Sequence, residues 1–318
     1  MDALTEVEID SLLDPEIRVG VSGTLTAHLP AGDLTVDQVR RLDRTLAVVP
    51  PSSGSNEWIR RPDDSQLGLR RYLPTALDSS ISRSVILWIH GGGMFLGSAR
   101  QDDANARELC EALGVRIASV DYRLAPEHPY PEPLDDCYTA LVWLAERYDR
   151  IVVVGASAGG GLAAGLALLS RDRSAPAIAG VQLRYPMLDD RETAGARTLS
   201  NTSVWNARLN RLAWDAYLGG RPADEYAAPG RAVDLSGLPP TYIDTGDLDL
   251  FRDEDAAFAD RIRESGGSVA FFEEKAAVHG FDLIAPDATV SRMALARRHE
   301  WLARVLRANL ASTLETSS

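Results

Sequence analysis

The order of apolar and polar positions divides most of the chain into strands and amphipathic helices. Short apolar runs bounded by turn residues are typical of buried strands, and they lie at 58–61, 67–73, 84–90, 115–121, 151–154, 178–185, 240–245 and 268–272. Helical periodicity fills the intervals between many of these runs, at about 102–113, 134–148, 252–264 and 288–310. Strands that alternate with helices predict an α/β fold with a doubly wound, mostly parallel eight-stranded sheet.

Two segments break this alternation. The N-terminal segment mixes polar and apolar positions and has one clear helical repeat, over 36–46. A later segment contains a helix near 207–218 but no strong strand. We therefore expect three parts, namely an N-terminal segment at 1–55, a core at 56–186 and 236–318, and an insertion at 187–235 that covers the C-terminal edge of the sheet.

The stretch 151–169, IVVVGASAGGGLAAGLALL, carries the first candidate chemistry. Its β-branched start predicts a strand, and residues 155–159 match G-x-S-x-G, a tight turn that presents Ser157 above the sheet. Side chains at 155 and 159 would collide with a neighbouring strand or helix, which explains glycine at both. The stretch is uncharged and long enough to span a membrane, but its five glycines lower its apolarity, so we favour a strand, turn and helix.

Composition narrows the classes of partner. The formal net charge of −13 argues against nucleic-acid binding and against an anionic membrane surface. Cys110 and Cys137 fall in predicted helices, so we expect buried thiols and no bridge. Neither they nor the five histidines have metal-ligand spacing. The acidic N-terminus lacks an apolar core, so a cytoplasmic location is expected.

Loops that follow three other predicted strands complete a possible acyl-transfer site. The run His90-Gly91-Gly92-Gly93 exposes backbone N–H groups, as an oxyanion hole requires. A phosphate loop would need a Lys-Ser/Thr that is absent, and a structural glycine turn is the other alternative. The later loops offer Asp247 or Asp249 as an acid and His279 as a base. The order Ser, Asp, His is that of α/β-hydrolases.

Five ordered motifs make the resemblance specific. The segments HGGGMFLGS, DYRLAPEHPYPEPLDD, GASAGG, LDLFRDE and HGF resemble the hormone-sensitive-lipase-like (HGGG-motif, family IV) carboxylesterases of the α/β-hydrolase superfamily. The resemblance implies hydrolysis of small-molecule carboxylic esters with short to medium acyl chains, no cofactor, a helical cap built from 1–55 and 187–235, and a possible homodimer.

The resemblance also assigns roles to individual residues. It implies a catalytic triad of Ser157, Asp249 and His279, with Asp247 as the rival acid. It places the oxyanion donors at Gly92, Gly93 and Ala158. It further implies that four side chains of these motifs hold loops in place, and these are His90, Asp121, Arg123 and Glu127. Where the family usually has aspartate after the first elbow glycine, this chain has Ala156.

Residues that flank the catalytic loops or lie in the cap are candidates for the substrate pocket. These are Met94, Phe95, Trp205, Leu250 and Phe281. Ordinary packing is the alternative for all five. Two other functions remain open at this stage. The same site could hydrolyse amides, lactones or thioesters, because all share a tetrahedral intermediate. A ligand-binding receptor on a hydrolase scaffold is a second alternative.

Overall fold

Eight strands form a single sheet in the computed structural model, which describes residues 3–46 and 54–308. In chain order they are β1 Ser55–Arg60, β2 Gln66–Tyr72, β3 Ser84–Ile89, β4 Arg116–Asp121, β5 Arg150–Ala156, β6 Gly180–Arg184, β7 Thr241–Gly246 and β8 Val269–Glu274. Their spatial order is β1-β2-β4-β3-β5-β6-β7-β8. The β1–β2 and β2–β4 pairs are antiparallel and all other pairs are parallel, which confirms the predicted sheet.

Helices cover both faces of the sheet. In chain order the described helices are α1 Glu6–Leu12, α2 Pro15–Val21, α3 Val36–Leu46, α4 Asp103–Leu113, α5 Glu132–Ala145, α6 Ala158–Asp172, α7 Ala194–Thr198, α8 Ala207–Leu218, α9 Arg252–Glu264, α10 Phe281–Ile284 and α11 Thr289–Arg307. Side chains of α5, α6 and α9 pack with Leu87 of β3 on one face. Those of α4 and α11 pack with Ile86 on the other. Burial on both faces explains the uninterrupted apolar strands.

The stretch 151–169 forms all of β5 except its first residue, then a turn and most of α6. The membrane alternative for it is therefore wrong, because the strand hydrogen-bonds to β3 and β6 inside the sheet. Within 3–46 and 54–308, no helix is long and apolar enough to cross a bilayer. The predictions for α8 and α9 match their observed bounds. The last helix is described as far as Arg307, and the predicted end at 310 lies outside the described residues.

The N-terminal segment and the 187–235 segment contact each other above the core. The N–H of Leu4 donates to the carbonyl of Thr198 at 2.9 Å, and Thr24 Oγ1 donates to the carbonyl of Ser203 at 2.7 Å. Arg208 of α8 donates to the carbonyl of Pro30 at 2.9 Å. The two segments that break the sequence alternation therefore lie together as a helical layer.

Candidate active site

The turn between β5 and α6 holds Ser157 in a backbone conformation that residues other than glycine rarely adopt. Its φ is 54° and its ψ is −122°. A Cβ on Gly155 would lie 2.1 Å from the carbonyl oxygen of Gly159, and one on Gly159 would lie 2.2 Å from that of Ile89. Both contacts are impossible for a real side chain, so the two glycines are required by close approach of the backbone. The expected collision with helix and strand is confirmed.

A chain of two hydrogen bonds connects the serine, the histidine and one aspartate. Ser157 Oγ lies 2.9 Å from His279 Nε2, and His279 Nδ1 lies 2.8 Å from Asp249 Oδ2. An ionised carboxylate can only accept, so Nδ1 carries the proton and Nε2 is free to accept from the serine hydroxyl. The other oxygen of Asp249 accepts from the N–H of Phe251 at 3.0 Å. The acid is therefore held by the turn that carries it.

The rival acid points elsewhere. Asp247 Oδ2 lies 3.6 Å from the Nζ atom of Lys275, and the Asp247 N–H donates to the carbonyl of Glu274. Asp249 is completely buried beside the imidazole, whereas Lys275 is largely exposed. The structure brings Asp249, and not Asp247, to His279.

Three aromatic rings enclose the imidazole of His279. Tyr185 and Phe251 approach it edge-on at centroid distances of 4.9 and 5.1 Å. Trp205 of the 187–235 segment lies at 6.3 Å. Sequence reasoning named only Trp205. Tyr185 ends a predicted strand and Phe251 directly follows Leu250, so position after a strand was the available signal for both.

A buried ion network supports the histidine loop from below. Arg298 donates to both carboxylate oxygens of Asp244, at 2.6 and 2.9 Å, and also to Asp282. Tyr185 donates its hydroxyl to Asp282 at 2.8 Å. Burial alone would raise the pKa of Asp282, but the charges of Arg298 and Arg184 outweigh it and lower that pKa. Asp282 is therefore an ionised anchor three residues after His279.

The glycine loop after β3 runs beside the serine. A Cβ on Gly91 would lie 3.3 Å from Ser157 Cβ. Gly92, Gly93 and Met94 have successive φ values of 114°, 60° and 59°, and the N–H of Leu96 closes the turn on the carbonyl of Gly92 at 2.8 Å. Ala158 begins α6, so its N–H has no partner within the helix. The glycine loop and the first residue of α6 therefore both lie next to Ser157 in the structure.

The contacts of His90 indicate that it holds the glycine loop in place. Its ring stacks on Tyr122 at 4.1 Å and its Nδ1 donates to the carbonyl of Gly91 at 2.8 Å. Burial lowers the pKa of His90 to about 4, so it is neutral at physiological pH.

The other three loop-holding candidates each connect a loop to a neighbouring element. Asp121 accepts from the N–H of Ala99 at 2.9 Å. Arg123 contacts Asp136 and Glu132. Glu127 is paired with Arg40 at 2.6 Å.

The five candidate pocket residues are all nearly or fully buried. Phe95 and Trp205 lie 6.4 Å apart beside the glycine loop. Phe281 packs against Tyr185 and the guanidinium of Arg298, on the side of the loop that faces α11. Met94 lies in the core cluster with α6.

Leu250 lines a cavity of about 220 Å³ between the 187–235 segment and the core. Other lining residues include Ala196, Ala207, Trp214 and Phe251. Charged residues also line the cavity, and these include Asp190, Arg191, Glu192 and Arg211. Trp214 was not among the candidates, although its position in the predicted cap helix was visible in the sequence.

Both cysteines are buried thiols in separate helices, as predicted. Within the described residues, no group of three or more His, Cys, Asp or Glu side chains could hold a metal ion.

Comparison with known proteins agrees with this architecture. A family model described as an alpha/beta hydrolase fold matches residues 86–283. Carboxylesterase NlhH of Mycobacterium tuberculosis is 37% identical over 247 residues, which is 70% of this chain and 75% of that protein. Esterase LipI of the same organism is 35% identical over 230 residues, 68% of this chain and 71% of LipI. The solved structure of a bacterial heroin esterase superposes with a TM-score of 0.83 at 34% identity, over 94% of this chain and 99% of that one.

Fold and match together define the class of protein, an α/β-hydrolase. Within that class the chain belongs to the hormone-sensitive-lipase-like carboxylesterases, as its motifs indicated. It is an enzyme of the carboxylic ester hydrolase type.

Proposed function

We propose that this carboxylesterase acts through Ser157 as nucleophile, His279 as general base and Asp249 as the acid that orients it. The observation that carries the proposal is the pair of hydrogen bonds, at 2.9 and 2.8 Å, that runs from Ser157 through His279 to Asp249. His279 takes the proton of the Ser157 hydroxyl as the oxygen attacks the ester carbonyl. It then protonates the departing alcohol, leaving an acyl-enzyme that water hydrolyses by the same two steps.

The tetrahedral intermediate needs donors for its negative oxygen. We assign these to the N–H groups of Gly92, Gly93 and Ala158. Two facts support the assignment: the glycine loop runs beside Ser157, and the N–H of Ala158 lies at the positive end of the α6 dipole. Donors fixed by backbone need no reorganisation as charge develops, which is why such sites lower the barrier strongly.

Short to medium acyl esters are the proposed substrates. The cavity lined by Leu250, Phe251 and Trp214 is about 220 Å³, below the roughly 300 to 1,000 Å³ of pockets for drug-sized ligands. Its lining combines apolar and charged side chains, and Leu250 and Phe251, which directly follow Asp249, connect it to the catalytic loop. Met94, Phe95 and Trp205 are proposed to border the reacting carbonyl, and Phe281 to hold the histidine loop from the core side.

The test is hydrolysis of p-nitrophenyl esters from acetate to palmitate, with Ser157→Ala as control. We expect the highest kcat/KM at short to medium chains, and a kcat lower by about 10⁵ to 10⁶ in the variant. An active Ser157→Ala enzyme would overturn the nucleophile assignment. Folded protein that hydrolyses anilides but no ester would contradict the substrate class. A maximum at palmitate would contradict only the chain-length proposal.

We propose a homodimer from the family resemblance, and one feature of the structure supports it. Strand β8 is an edge strand, and Phe271 and Phe272 on it are only partly buried. Light scattering after size exclusion should give twice the chain mass of 34.5 kDa. A single-chain mass at micromolar concentration would refute the dimer without touching the catalytic assignment.

A further inference from the structure

One side chain of the N-terminal segment reaches the loops around the glycine turn. Arg40 of α3 donates from Nε to the carbonyl of Phe95 at 2.9 Å and from Nη2 to the carbonyl of Ala125 at 2.7 Å. Its Nη1 and Nη2 atoms also donate to the two oxygens of Glu127, at 2.6 and 2.9 Å. A single guanidinium therefore joins three chain segments that are far apart in sequence.

Helix α3 is well placed to hold that guanidinium. Thr35 and Gln38 form a capping box, in which the Thr35 N–H donates to Gln38 Oε1 at 2.9 Å and the Gln38 N–H donates to Thr35 Oγ1 at 3.3 Å. Val39 is completely buried in the core cluster. A capped start and a buried neighbour fix the direction in which Arg40 leaves the helix. The hydrogen bond from Arg40 also lowers the pKa of Glu127, so the pair stays charged at neutral pH.

The loop that Arg40 binds has little regular structure to hold it. Gly92, Gly93 and Met94 have three successive positive φ values, and this backbone conformation is strained for the non-glycine Met94. Phe95 follows directly, and Arg40 holds its carbonyl. The carbonyl of Met94 accepts from the N–H of Ala125 at 2.9 Å. Arg40 thus hydrogen-bonds to both loop segments that this backbone contact joins. One of its acceptors, Phe95, lies two residues after Gly93.

We propose that Arg40 is a positioning residue for the oxyanion hole, which fixes the N–H groups of Gly92 and Gly93 against Ser157. The inference rests on the proposed function, because it assigns those N–H groups a role in the reaction. Arg40 does not touch the substrate. Arg40 couples the position of the N-terminal segment to the N–H groups of Gly92 and Gly93. A shift of the Phe95 carbonyl would move the strained turn that precedes it.

The experiment compares Arg40→Met with Arg41→Met. Methionine keeps an apolar stem and removes all donors, and Arg41 is the adjacent, exposed arginine on the same helix. Four quantities are measured for each variant: kcat and KM on p-nitrophenyl acetate, the inhibition constant of a trifluoromethyl ketone, and the melting temperature. The ketone forms a hemiketal with the serine, and its negative oxygen occupies the hole.

We expect Arg40→Met to lower kcat about 10- to 100-fold, less than the 10²- to 10³-fold cost of removing a whole donor. The affinity for the ketone should fall by a similar factor while KM changes little, because the ester ground state makes weaker use of the hole. Arg41→Met should match the wild type in all four quantities. Arg40→Lys should lie between them, because an ammonium cannot reproduce the planar set of donors.

Two results would overturn the proposal. One is a folded Arg40→Met enzyme with the kcat of Arg41→Met. The other is a fall in kcat without any loss of ketone affinity, which would mean that Arg40 acts elsewhere. If Arg40→Met does not fold, Arg40→Lys decides, and a wild-type kcat in that variant refutes the inference. Failure of the catalytic proposal looks different, since it requires activity in Ser157→Ala.

Discussion

The indole ring of Trp205 stands where a side chain on Gly93 would begin. A methyl carbon at position 93 would lie 2.5 Å from Cη2 of Trp205, well inside van der Waals contact. Trp205 comes from the 187–235 segment and also faces His279 at 6.3 Å. One ring of the 187–235 segment therefore contacts both the glycine loop and His279. The positions of Trp205 and of the glycine loop constrain each other.

Gly93→Ala should lower kcat/KM on p-nitrophenyl acetate by about 100-fold or more, because the methyl group must displace the loop or the indole. Trp205→Ala in the same chain should restore part of the loss by opening that space. We expect a coupling free energy of about 1 to 3 kcal/mol from the four kcat/KM values. Strictly additive effects would mean that the two residues do not compete for space.

The identity of the acid can be decided with two isosteric substitutions. Asp249→Asn should lower kcat by about 10⁴, because an amide stabilises the wrong tautomer of His279. Asp247→Asn is the matched control, since its carboxylate lies 3.6 Å from the exposed Lys275, and such surface pairs have small effects of about 1 kcal/mol or less. Steady-state kinetics of both variants check the prediction. A larger loss in Asp247→Asn would reverse the assignment.

The backbone at Ser157 should be measurably strained. Ser157→Gly and Ser157→Ala both remove the hydroxyl, and only glycine adopts a φ of 54° with a ψ of −122° easily. We expect the glycine variant to be more stable by about 1 kcal/mol, because relief of strain exceeds the added entropy of the unfolded chain. Urea unfolding of the two inactive variants provides the comparison. Equal stabilities would contradict the prediction, because relief of strain would then no more than balance the added entropy of the unfolded chain.

The buried carboxyl group of Asp102 should make the free energy of unfolding depend on pH. Burial raises the pKa of Asp102 to about 6, even though it accepts a hydrogen bond from Trp88 Nε1 at 2.8 Å. The folded protein thus binds a proton that the unfolded chain releases near pH 4, so this group's contribution is complete below about pH 4 and is lost as pH rises through 6.

Asp102→Asn should therefore stabilise the protein at pH 7.5, by up to about 3 kcal/mol. The gain should shrink between about pH 6 and pH 4 and disappear below that range. Denaturant unfolding of both proteins at pH 7.5 and 4.5 tests this. An equal difference in free energy of unfolding at the two pH values would contradict the raised pKa.

Local patterns were enough to predict the sheet and most of the core. Helices α8 and α9 were predicted at their observed bounds because apolar periodicity and turn residues agree there. Helices α1 and α2 were missed because seven residues give too few turns to establish a period. Their start signals were present, in the Thr5–Glu8 capping box and in Pro15 after the Asp14 cap.

The parts of the site that escaped prediction depend on contacts between distant positions. The order of Ser157, Asp249 and His279 is visible in the sequence, because each follows a strand of recognisable pattern. Nothing local indicates that Arg40 contacts Phe95 or that Arg298 joins Asp244 to Asp282. An arginine in an amphipathic helix has the same sequence pattern around it whether its side chain faces water or a buried carbonyl.

The tight seating of α6 limits how enzymes of this design can diversify. A Cβ on Gly161 would lie 2.2 Å from the carbonyl oxygen of Met187, and one on Gly165 would lie 2.3 Å from that of Tyr226. Residues 158–170 are all buried, so a larger side chain there would displace the helix that follows Ser157, whatever the substrate. We therefore expect substrate preference to be easier to change by substitution in the N-terminal and 187–235 segments, where the nucleophile stays in place.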